Sequence, residues 1–333
     1  MEKVLCVGSL IIDIINDAID RPLDAGEGVE TAIGVHLGGN AFNVAVDLRN
    51  LGLEGEVGCV GAVGDDFLGS QFYHDLERRD VIPRLRTMPG VGTSKNIILQ
   101  IMGDERRYHL DPGPNASLGT DYVLEQLAAF EPTILYIGEV GFLGEINQHL
   151  AKILRAAKDQ GCLTVVDTVI TPGEDWEQLH DAAEMIDVFH CNDHEARSIT
   201  GEVEADRAVV KLLEMGIALP VVSQGEHELL LGYQEMLFTV PAFSVDSVDP
   251  TGAGDAFTAG VIHRLTGFAG STLAEKLGTD DDKLLEAVLY GEAAGAACVT
   301  ALGCTPAVNA ERVTQLMKAR SANLRARIAK QAI

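Results

Sequence analysis

Short apolar runs alternate with segments of helical spacing along most of the 333-residue chain. Runs of about five apolar residues between turn residues predict buried strands, and apolar residues three and four apart predict helices. The predicted strands are 4–8, 57–63, 134–138, 163–167, 186–191 and one that starts at Pro220. The predicted helices are 39–51, 67–79, 145–160, 256–265, 283–302 and 309–327. This order predicts an α/β fold, with a mostly parallel central sheet flanked by helices on both faces.

Two stretches, 13–36 and 93–110, interrupt this alternation. The first is rich in turn residues and carries strand-like pieces. The second alternates in the way of an antiparallel ribbon, with a turn at Gly103 and Asp104. Because ligands of open α/β sheets bind at the carboxyl ends of the strands, we expect both stretches to form one small β lid over that edge.

The charge of the chain limits its partners. It holds 25 basic and 50 acidic residues, a formal net charge of −25 at pH 7. That charge disfavours nucleic acid and anionic membrane surfaces, so we expect neither as a partner. A phosphate site must then be built locally, from backbone N–H groups and metal ions. We predict that the basic tail from Lys318 to Lys330 is a solvated terminal helix rather than a binding arm.

The cysteines and the start of the chain favour a cytoplasmic protein. Six cysteines lie far apart, and none forms a Cys-x-x-Cys pair, so buried, reduced thiols are the expected state. Residues 1–8 predict a buried strand rather than a signal peptide. No apolar stretch reaches the ~18 residues needed to span a membrane. We therefore expect a cytoplasmic location.

The segment from Asp249 to Asp255, Asp-Pro-Thr-Gly-Ala-Gly-Asp, stands directly before an apolar helical pattern. Gly252 and Gly254 let the backbone approach a ligand closely. The free N–H groups of a helix start can hold an anion, and Asp255 beside them can accept a proton. Phosphoryl transfer to a hydroxyl requires such a pairing, although ordinary helix capping could also explain these residues. The sequence contains neither a Walker-type loop nor the protein-kinase motifs.

Four motifs, in order along the chain, resemble those of one enzyme family. The segment 249–257 resembles the C-terminal signature of the ribokinase/PfkB family of carbohydrate kinases, and 38–45 resembles its Gly-Gly-rich helix start. Residues 61–69 resemble the family's next turn, and 192–195 matches its Asn-x-x-Glu motif. The resemblance implies a single ribokinase-like domain over residues 1–333, with the lid inserted. It also implies transfer of the ATP γ-phosphoryl group to a hydroxyl of a small sugar or sugar derivative.

The resemblance assigns the transfer chemistry to the start of the last signature. Asp255 would be the base that takes the substrate hydroxyl proton. The backbone N–H groups of Gly252, Ala253, Gly254 and Asp255 would bind the transferring phosphoryl oxygens. Because a helix N-terminus stabilises a carboxylate, we expect Asp255 to be ionised at neutral pH, with a low pKa.

The resemblance also implies a substrate pocket formed by Asp13, Gly38, Gly39 and Asn43. An ionised Asp13 can accept hydrogen bonds from two vicinal hydroxyls, as a sugar or a ribose offers. Two alternatives stay open: Asp13 as a turn residue, and Asn43 as a solvent-facing helix residue. Glu139 lies at a predicted strand end near the same pocket.

ATP and its cations would lie further along the chain. The resemblance implies that Asn192 and Glu195 organise Mg²⁺ and its waters, since carboxylate oxygens suit this ion. It places a K⁺ site beside the anion cradle, with ligands from Asp249 and Thr251. The alternative is that these last two residues only shape the turn.

The loop Ser223-Gln224-Gly225-Glu226-His227-Glu228 resembles the family's Thr-x-Gly-x-x-Gly turn near ATP. Ser223 and Gly225 would then bind the nucleotide. Glu228 replaces the second glycine, which weakens the comparison for this loop.

Two other functions stay open at this stage. The first is a nucleoside kinase of the same family, since the ribose of a nucleoside offers Asp13 the same vicinal hydroxyls as a free sugar. Tyr108 is the main aromatic residue available to stack the base. A non-catalytic sugar or nucleotide sensor would need neither Asp255 nor the glycines.

A phosphorylated substrate would require a basic clamp, for which Arg106 and Arg107 are the candidates. We expect a homodimer, because lid ribbons with exposed edges can pair with a second copy.

Overall fold

Fourteen strands and twelve helices make up most of the described chain. The computed structural model of the protein describes residues 2–101, 107–171, 173, 175–279 and 281–333, without the side chains of residues 17, 18 and 100. The strands β1 to β14 are Lys3–Val7, Ile11–Ile19, Gly34–Gly38, Glu56–Gly64, Ile82–Met88, Lys95–Ile101, Arg107–Asp111, Ile134–Val140, Leu163–Thr168, Val188–Asn192, Leu219–Ser223, Glu228–Tyr233, Met236–Pro241 and Ala329–Ala332. The helices α1 to α12 are Asn40–Asn50, Phe67–Arg78, Thr120–Phe130, Glu145–Gln148, Leu150–Asp159, Glu177–Ala182, Asp193–Thr200, Ala205–Glu214, Ala253–Thr266, Leu273–Leu277, Asp281–Cys298 and Ala310–Arg325.

One large sheet forms the centre of the molecule. Within the described residues it has ten strands, in the order β14-β13-β12-β11-β10-β9-β8-β1-β4-β5. The strands from β11 to β5 are parallel, and β12, β13 and β14 extend one edge in antiparallel fashion. The predicted mostly parallel sheet is confirmed. Because parallel strands end at the same edge, the segments that follow the neighbouring strands β8, β9, β10 and β11 lie side by side.

Helices cover both faces of this sheet, as the alternation predicted. Val4 and Cys6 of β1 face one core, which they share with α1, α9 and α11. Leu5 and Val7 face the opposite core, which includes residues of α3, α5 and α8. Successive residues of a strand point to opposite faces, so a strand buried on both sides must be apolar throughout.

A second, smaller sheet forms the lid, in the order β3-β2-β6-β7. Strand β2 is antiparallel to β3 and parallel to β6, and β6 is antiparallel to β7. The two stretches that interrupted the alternation, 13–36 and 93–110, thus join in one small sheet, as predicted. The predicted turn at Gly103 and Asp104, like Arg106, lies outside the described residues.

The C-terminal tail differs from the prediction of a helix up to Lys330. Helix α12 ends at Arg325, and Ala329–Ala332 pairs with β13 as the antiparallel edge strand β14. All four residues of β14 are exposed, so the segment carries no apolar alternation that could have shown it.

Two further expectations can be compared with the structure. The six cysteines are buried and unpaired, as predicted. None of the described helices combines the length and hydropathy that a membrane crossing requires.

Candidate active site

Two cavities lie next to each other at the edge where β8, β9 and β11 end. The first has a volume of about 510 Å³, and lid residues form one of its walls. The second has a volume of about 380 Å³ and lies beside the loop after β11. The start of α9 separates them, since Gly252 and Asp255 line the first cavity and Ala253 and Gly254 line the second. This short segment can therefore contact ligands in both cavities.

At the start of α9, the packing requires a glycine at position 252 and leaves little room for a side chain at Gly254. Gly252 has φ +82°, and a Cβ atom there would lie 2.6 Å from the Cβ atom of Cys304. A Cβ atom on Gly254 would lie 3.0 Å from Cε1 of His190. No side chain of the described residues caps this helix start. The N–H of Ala253 donates to the Pro250 carbonyl at 3.2 Å, so the N–H groups of the next residues, Gly254 and Asp255, are the ones that this helix start presents to an anion.

Asp255 lies on the first cavity and is only 7% exposed. Its Oδ2 atom accepts a hydrogen bond of 2.8 Å from Nδ2 of Asn43, on α1. The expectation of a low pKa is wrong, because burial and the negative charge of Asp167 raise the pKa of Asp255 to about 7. Asn43 and His190 lower it, but they do not outweigh these two effects. A pKa near 7 gives a stronger base than a normal carboxylate, still partly ionised at neutral pH.

The predicted substrate residues converge on the same cavity. Asp13, Gly39 and Asn43 line it, together with Asn96 of the lid strand β6. Asn96 donates from Nδ2 to Oδ1 of Asp13 at 3.2 Å. Gly38 does not line the cavity but supports Asp13, since a Cβ atom on it would lie 2.5 Å from Oδ2 of Asp13. Asn43 is 3% exposed, so the alternative that it faces solvent is wrong.

Glu139 completes the polar wall of this cavity. It has φ +55°, unusual for a residue with a side chain, at an irregularity where β8 pairs with β9. Burial is the main cause that raises its pKa to about 8, and the charges of Asp255 and Asp13 add to the effect. Its Oε2 atom and the Oδ1 atoms of Asn43 and Asn96 are buried without a hydrogen-bond partner. Buried polar atoms are normally paired, so these three fit a polar ligand in the cavity.

The second cavity brings together two of the four predicted nucleotide-site residues. Ser223 and Gly225 line it with Gly254, and Phe243 and Glu292 form part of its far wall. Gly225 has φ +60°, which explains why a glycine follows β11. Burial is the main cause that raises the pKa of Glu292 to about 7.

The structure shows how the loop accommodates Glu228, where the family motif has its second glycine. Glu228 is the first residue of β12, where it pairs with Pro241. The turn is closed by the N–H group of Gln224, which donates to the Glu228 carbonyl at 3.0 Å. A side chain at position 228 is therefore compatible with the turn.

Asn192 and Glu195 form a capping box at the start of α7. The Asn192 side chain accepts from the N–H of Glu195 at 2.9 Å, and Oε2 of Glu195 accepts from the N–H of Asn192 at 2.7 Å. Burial, followed by the charge of Asp167, raises the pKa of Glu195 to about 7. Neither residue is among the described residues that line the second cavity. A carboxylate held beside other acidic groups is suited to a cation.

Asp249 is fully buried at the base of the turn before α9. Its Oδ1 atom accepts from the N–H of Thr251 at 2.9 Å, and its Oδ2 atom accepts from the N–H of Gly303 at 3.0 Å. The carbonyls of Thr251 and Cys304 lie 3.5 Å and 2.9 Å from Sγ of Cys298. Asp249 thus shapes the turn, and carbonyl oxygens lie close by.

Comparison with known proteins identifies the family of the chain. The model of the pfkB family carbohydrate kinases matches residues 1–311. The chain belongs to the pfkB family. Fructokinase-2 of Oryza sativa subsp. japonica is 27% identical over 344 residues, which cover 96% of this chain and 95% of the relative.

Solved structures of two pfkB-like proteins share the fold. Fructokinase of Xylella fastidiosa, with bound ATP, superposes with a TM-score of 0.79 at 20% identity, over 96% of this chain and 99% of the other. An Escherichia coli protein assigned as ribokinase II, in complex with ATP and Mg²⁺, gives a TM-score of 0.78 at 21% identity, over 96% and 100%. The predicted ribokinase-like fold is confirmed.

Three polar residues near the start of α9, namely Asp167, His190 and Thr258, lie outside the pfkB motifs. Asp167 ends up between His190 and Thr258, with its Oδ2 atom 3.1 Å from Nδ1 of His190 and 3.4 Å from Oγ1 of Thr258. Burial lowers the pKa of His190, but the charge and hydrogen bond of Asp167, together with the charges of Glu195 and Asp255, raise the pKa overall. In the sequence, the only indication of Asp167 and His190 was that each is a polar residue in a predicted apolar strand.

Proposed function

We propose that the protein transfers the γ-phosphoryl group of ATP to a hydroxyl of a small sugar. The observation that carries this proposal is the position of the α9 start between two cavities, with Asp255 on one side and Gly254 on the other. A sugar in the first cavity and ATP in the second would meet at this segment. Asp255 takes the hydroxyl proton, and the backbone from Gly252 to Asp255 holds the transferring oxygens.

The polar wall of the first cavity holds the sugar. Asp13, fixed by Asn96, accepts hydrogen bonds from vicinal hydroxyls. Oδ1 of Asn43 and Oδ1 of Asn96 accept further hydroxyl protons, which gives these buried atoms a partner. Glu139, whose pKa is about 8, carries a proton at neutral pH and donates to a sugar oxygen.

The charges of this cavity favour an uncharged substrate. Asp13, Glu139 and Asp255 all line it, and none of its described lining residues is basic. Arg107, one of the two candidates for a phosphate clamp, is an exposed residue of β7. A sugar acid or a sugar phosphate would add an anion beside buried carboxyl groups, which is costly without a paired cation.

ATP brings Mg²⁺ to the second cavity, as both are present in the E. coli relative. Mg²⁺ neutralises charge on the phosphates. We assign its water-mediated contacts to Asn192, which pairs with Ser223 in the sheet, and to Glu195, which accepts a hydrogen bond from the N–H of Asn192. We also assign a K⁺ site to the turn formed by Asp249 and Thr251, since the Asp249 carboxylate is buried there and bonded to the N–H of Thr251.

A nucleoside kinase is the second candidate function. Tyr108 and Leu110 of β7, with Ile98 of β6 and Phe142, form an apolar wall in the first cavity. Such a wall can pack against a base while Asp13 holds the ribose. The sensor alternative has no comparable observation in its favour.

Two further features belong to the proposal. We assign a homodimer to the lid, because Val35 and Ile97 are 61% and 44% exposed on it. The lid variant Ile97→Lys should then turn a dimer into a monomer in analytical ultracentrifugation. Six unpaired thiols support a cytoplasmic location.

The test is ADP production against a panel of neutral sugars, sugar acids, sugar phosphates and nucleosides, with Mg·ATP and with Asp255→Asn as control. We expect turnover with a neutral sugar, absent in the variant. Turnover with nucleosides alone would support the second candidate. Turnover equal in both proteins would refute Asp255 as the base, and specific sugar binding without any turnover would favour the sensor.

A further inference from the structure

One histidine lies against both the start of α9 and the second cavity. His190, on β10, is 5% exposed and lines that cavity. Its Cε1 atom lies 3.0 Å from where a Cβ atom on Gly254 would be, and its ring packs on Phe257 with centroids 4.9 Å apart. The ring therefore lies beside the backbone that the proposed function assigns to the phosphoryl group.

The two nitrogens of this ring face different partners. Nδ1 lies 3.1 Å from Oδ2 of Asp167, which also accepts from Thr258. Nε2 lies 3.3 Å from Oγ of Ser223, another residue that lines the second cavity. With Nδ1 engaged by a buried carboxylate, the ring orientation is fixed and Nε2 is the nitrogen on the cavity side.

The charges of the residues around the cavities set His190 apart. Among the described residues that line the two cavities, His190 is the only one with a basic side chain. Glu226 and Glu292 line the second cavity with it. Polyphosphates need donors or cations to bind, and the net charge of −25 offers no long-range attraction.

We infer that His190, doubly protonated and oriented by Asp167, donates a hydrogen bond from Nε2 to a phosphate oxygen of the bound nucleotide, next to the hydroxyl of Ser223. This inference rests on the proposed function, since it requires a nucleotide in the second cavity. It assigns a specific phosphate contact to a residue outside all four sequence motifs. The alternative is that the ring only packs against Gly254 and Phe257.

Binding without turnover separates these two roles. Adenosine, AMP, ADP and ATP are titrated calorimetrically into the whole protein in EDTA, which removes the Mg²⁺ contribution. The variants are His190→Leu, which removes the donor, and His190→Gln, which retains an amide donor. His263→Leu is the matched control, because this imidazole stacks on Tyr290 and is not among the residues that line either cavity.

For His190→Leu we expect ADP and ATP to lose affinity about tenfold or more, as for a hydrogen bond to a charged group, while adenosine binds as before. His190→Gln should recover part of the loss, and His263→Leu should bind all four like the wild type. Equal losses for adenosine and ADP, or no loss for ADP and ATP, would overturn the inference alone. Absence of adenine-nucleotide binding to the wild-type protein, both in EDTA and with Mg²⁺, would overturn the proposed function and, with it, this contact.

Discussion

Asn43 donates from Nδ2 to Oδ2 of Asp255 at 2.8 Å, although the two residues are 212 positions apart in the chain. The bond joins α1, the first helix of the chain, to the start of α9. It fixes the orientation of the Asp255 carboxyl group and stabilises its ionised form. The Oδ1 atom of Asn43 remains a buried acceptor without a partner. One side chain can therefore orient the base and bind the substrate.

The substitution Asp255→Asn should abolish phosphoryl transfer while leaving ligand binding intact. Removing a general base typically lowers kcat by about 10²–10⁴-fold. Asparagine keeps the size of the side chain, so we expect the affinities for ATP and sugar to stay within a few-fold. Steady-state ADP production and calorimetry measure the two quantities.

Asp159→Asn is the control for this change, because it removes the same charge at the exposed C-terminal end of α5. Its kcat should equal that of the wild type. A comparable loss in both variants would mean that overall charge, rather than the position of Asp255, is responsible.

The pH dependence of kcat/KM should show an acid limb near pH 7. The pKa of Asp255 is raised to about 7, mainly by burial, and only its ionised form accepts the proton. Activity should therefore rise with pH through this value. Asn43→Leu removes the hydrogen bond that lowers this pKa, so the limb should move to higher pH by up to about one unit. An unmoved limb in the variant would assign it to another group.

Gly252→Ala and Gly201→Ala form a matched pair. Both glycines have positive φ, +82° and +76°, but only a Cβ atom on Gly252 would collide with Cys304. The left-handed backbone should cost each variant about 1 kcal/mol in urea unfolding. We expect kcat to fall at least about tenfold for Gly252→Ala alone, because the anion-binding backbone must shift. Equal kcat values in the two variants would contradict this role.

Glu139→Gln should stabilise the protein at alkaline pH. The pKa of Glu139 is about 8, so the folded state holds its proton up to that pH, whereas the unfolded chain releases it near 4.5. Its contribution to stability is present at low pH and is lost as pH rises through this window. At pH 8 we expect the variant to gain at least about 1 kcal/mol over the wild type, a gain that shrinks as the pH falls toward 4.5.

Urea unfolding at pH 5, 6.5 and 8 measures this effect. Glu125→Gln, on an exposed position of α3, is the control and should leave the profile unchanged. A gain for Glu139→Gln that is the same at every pH would show that packing, rather than ionisation, causes it.

The turn at Asp249 should make the enzyme sensitive to K⁺. We expect turnover to be several-fold faster in KCl than in choline chloride of equal ionic strength. Asp249→Asn should remove this difference, because it removes the buried negative charge that a cation would neutralise. Identical rates of the wild-type protein in the two salts would rule out the K⁺ site.

Much of the fold could be predicted from the spacing of apolar residues, because this spacing reflects which faces of a strand or helix are buried. Apolar runs predicted β1, β4 and β8, since a strand buried on both faces must be apolar at each position. The two interrupted stretches predicted the lid. Edge strands such as Ala329–Ala332 escaped prediction because solvent-facing residues are not constrained by a core.

The sequence by itself determined the α/β order, the two glycines before Asp255 and the motifs of the pfkB family. Each depends on residues that are neighbours in the chain. Only the tertiary structure showed that Asn43 donates a hydrogen bond to Asp255 and that the His190 ring packs against Gly254. It also reversed the expected pKa shift of Asp255, because burial and the charge of Asp167 come from distant segments. Contacts and desolvation of this kind exist only after the chain has folded.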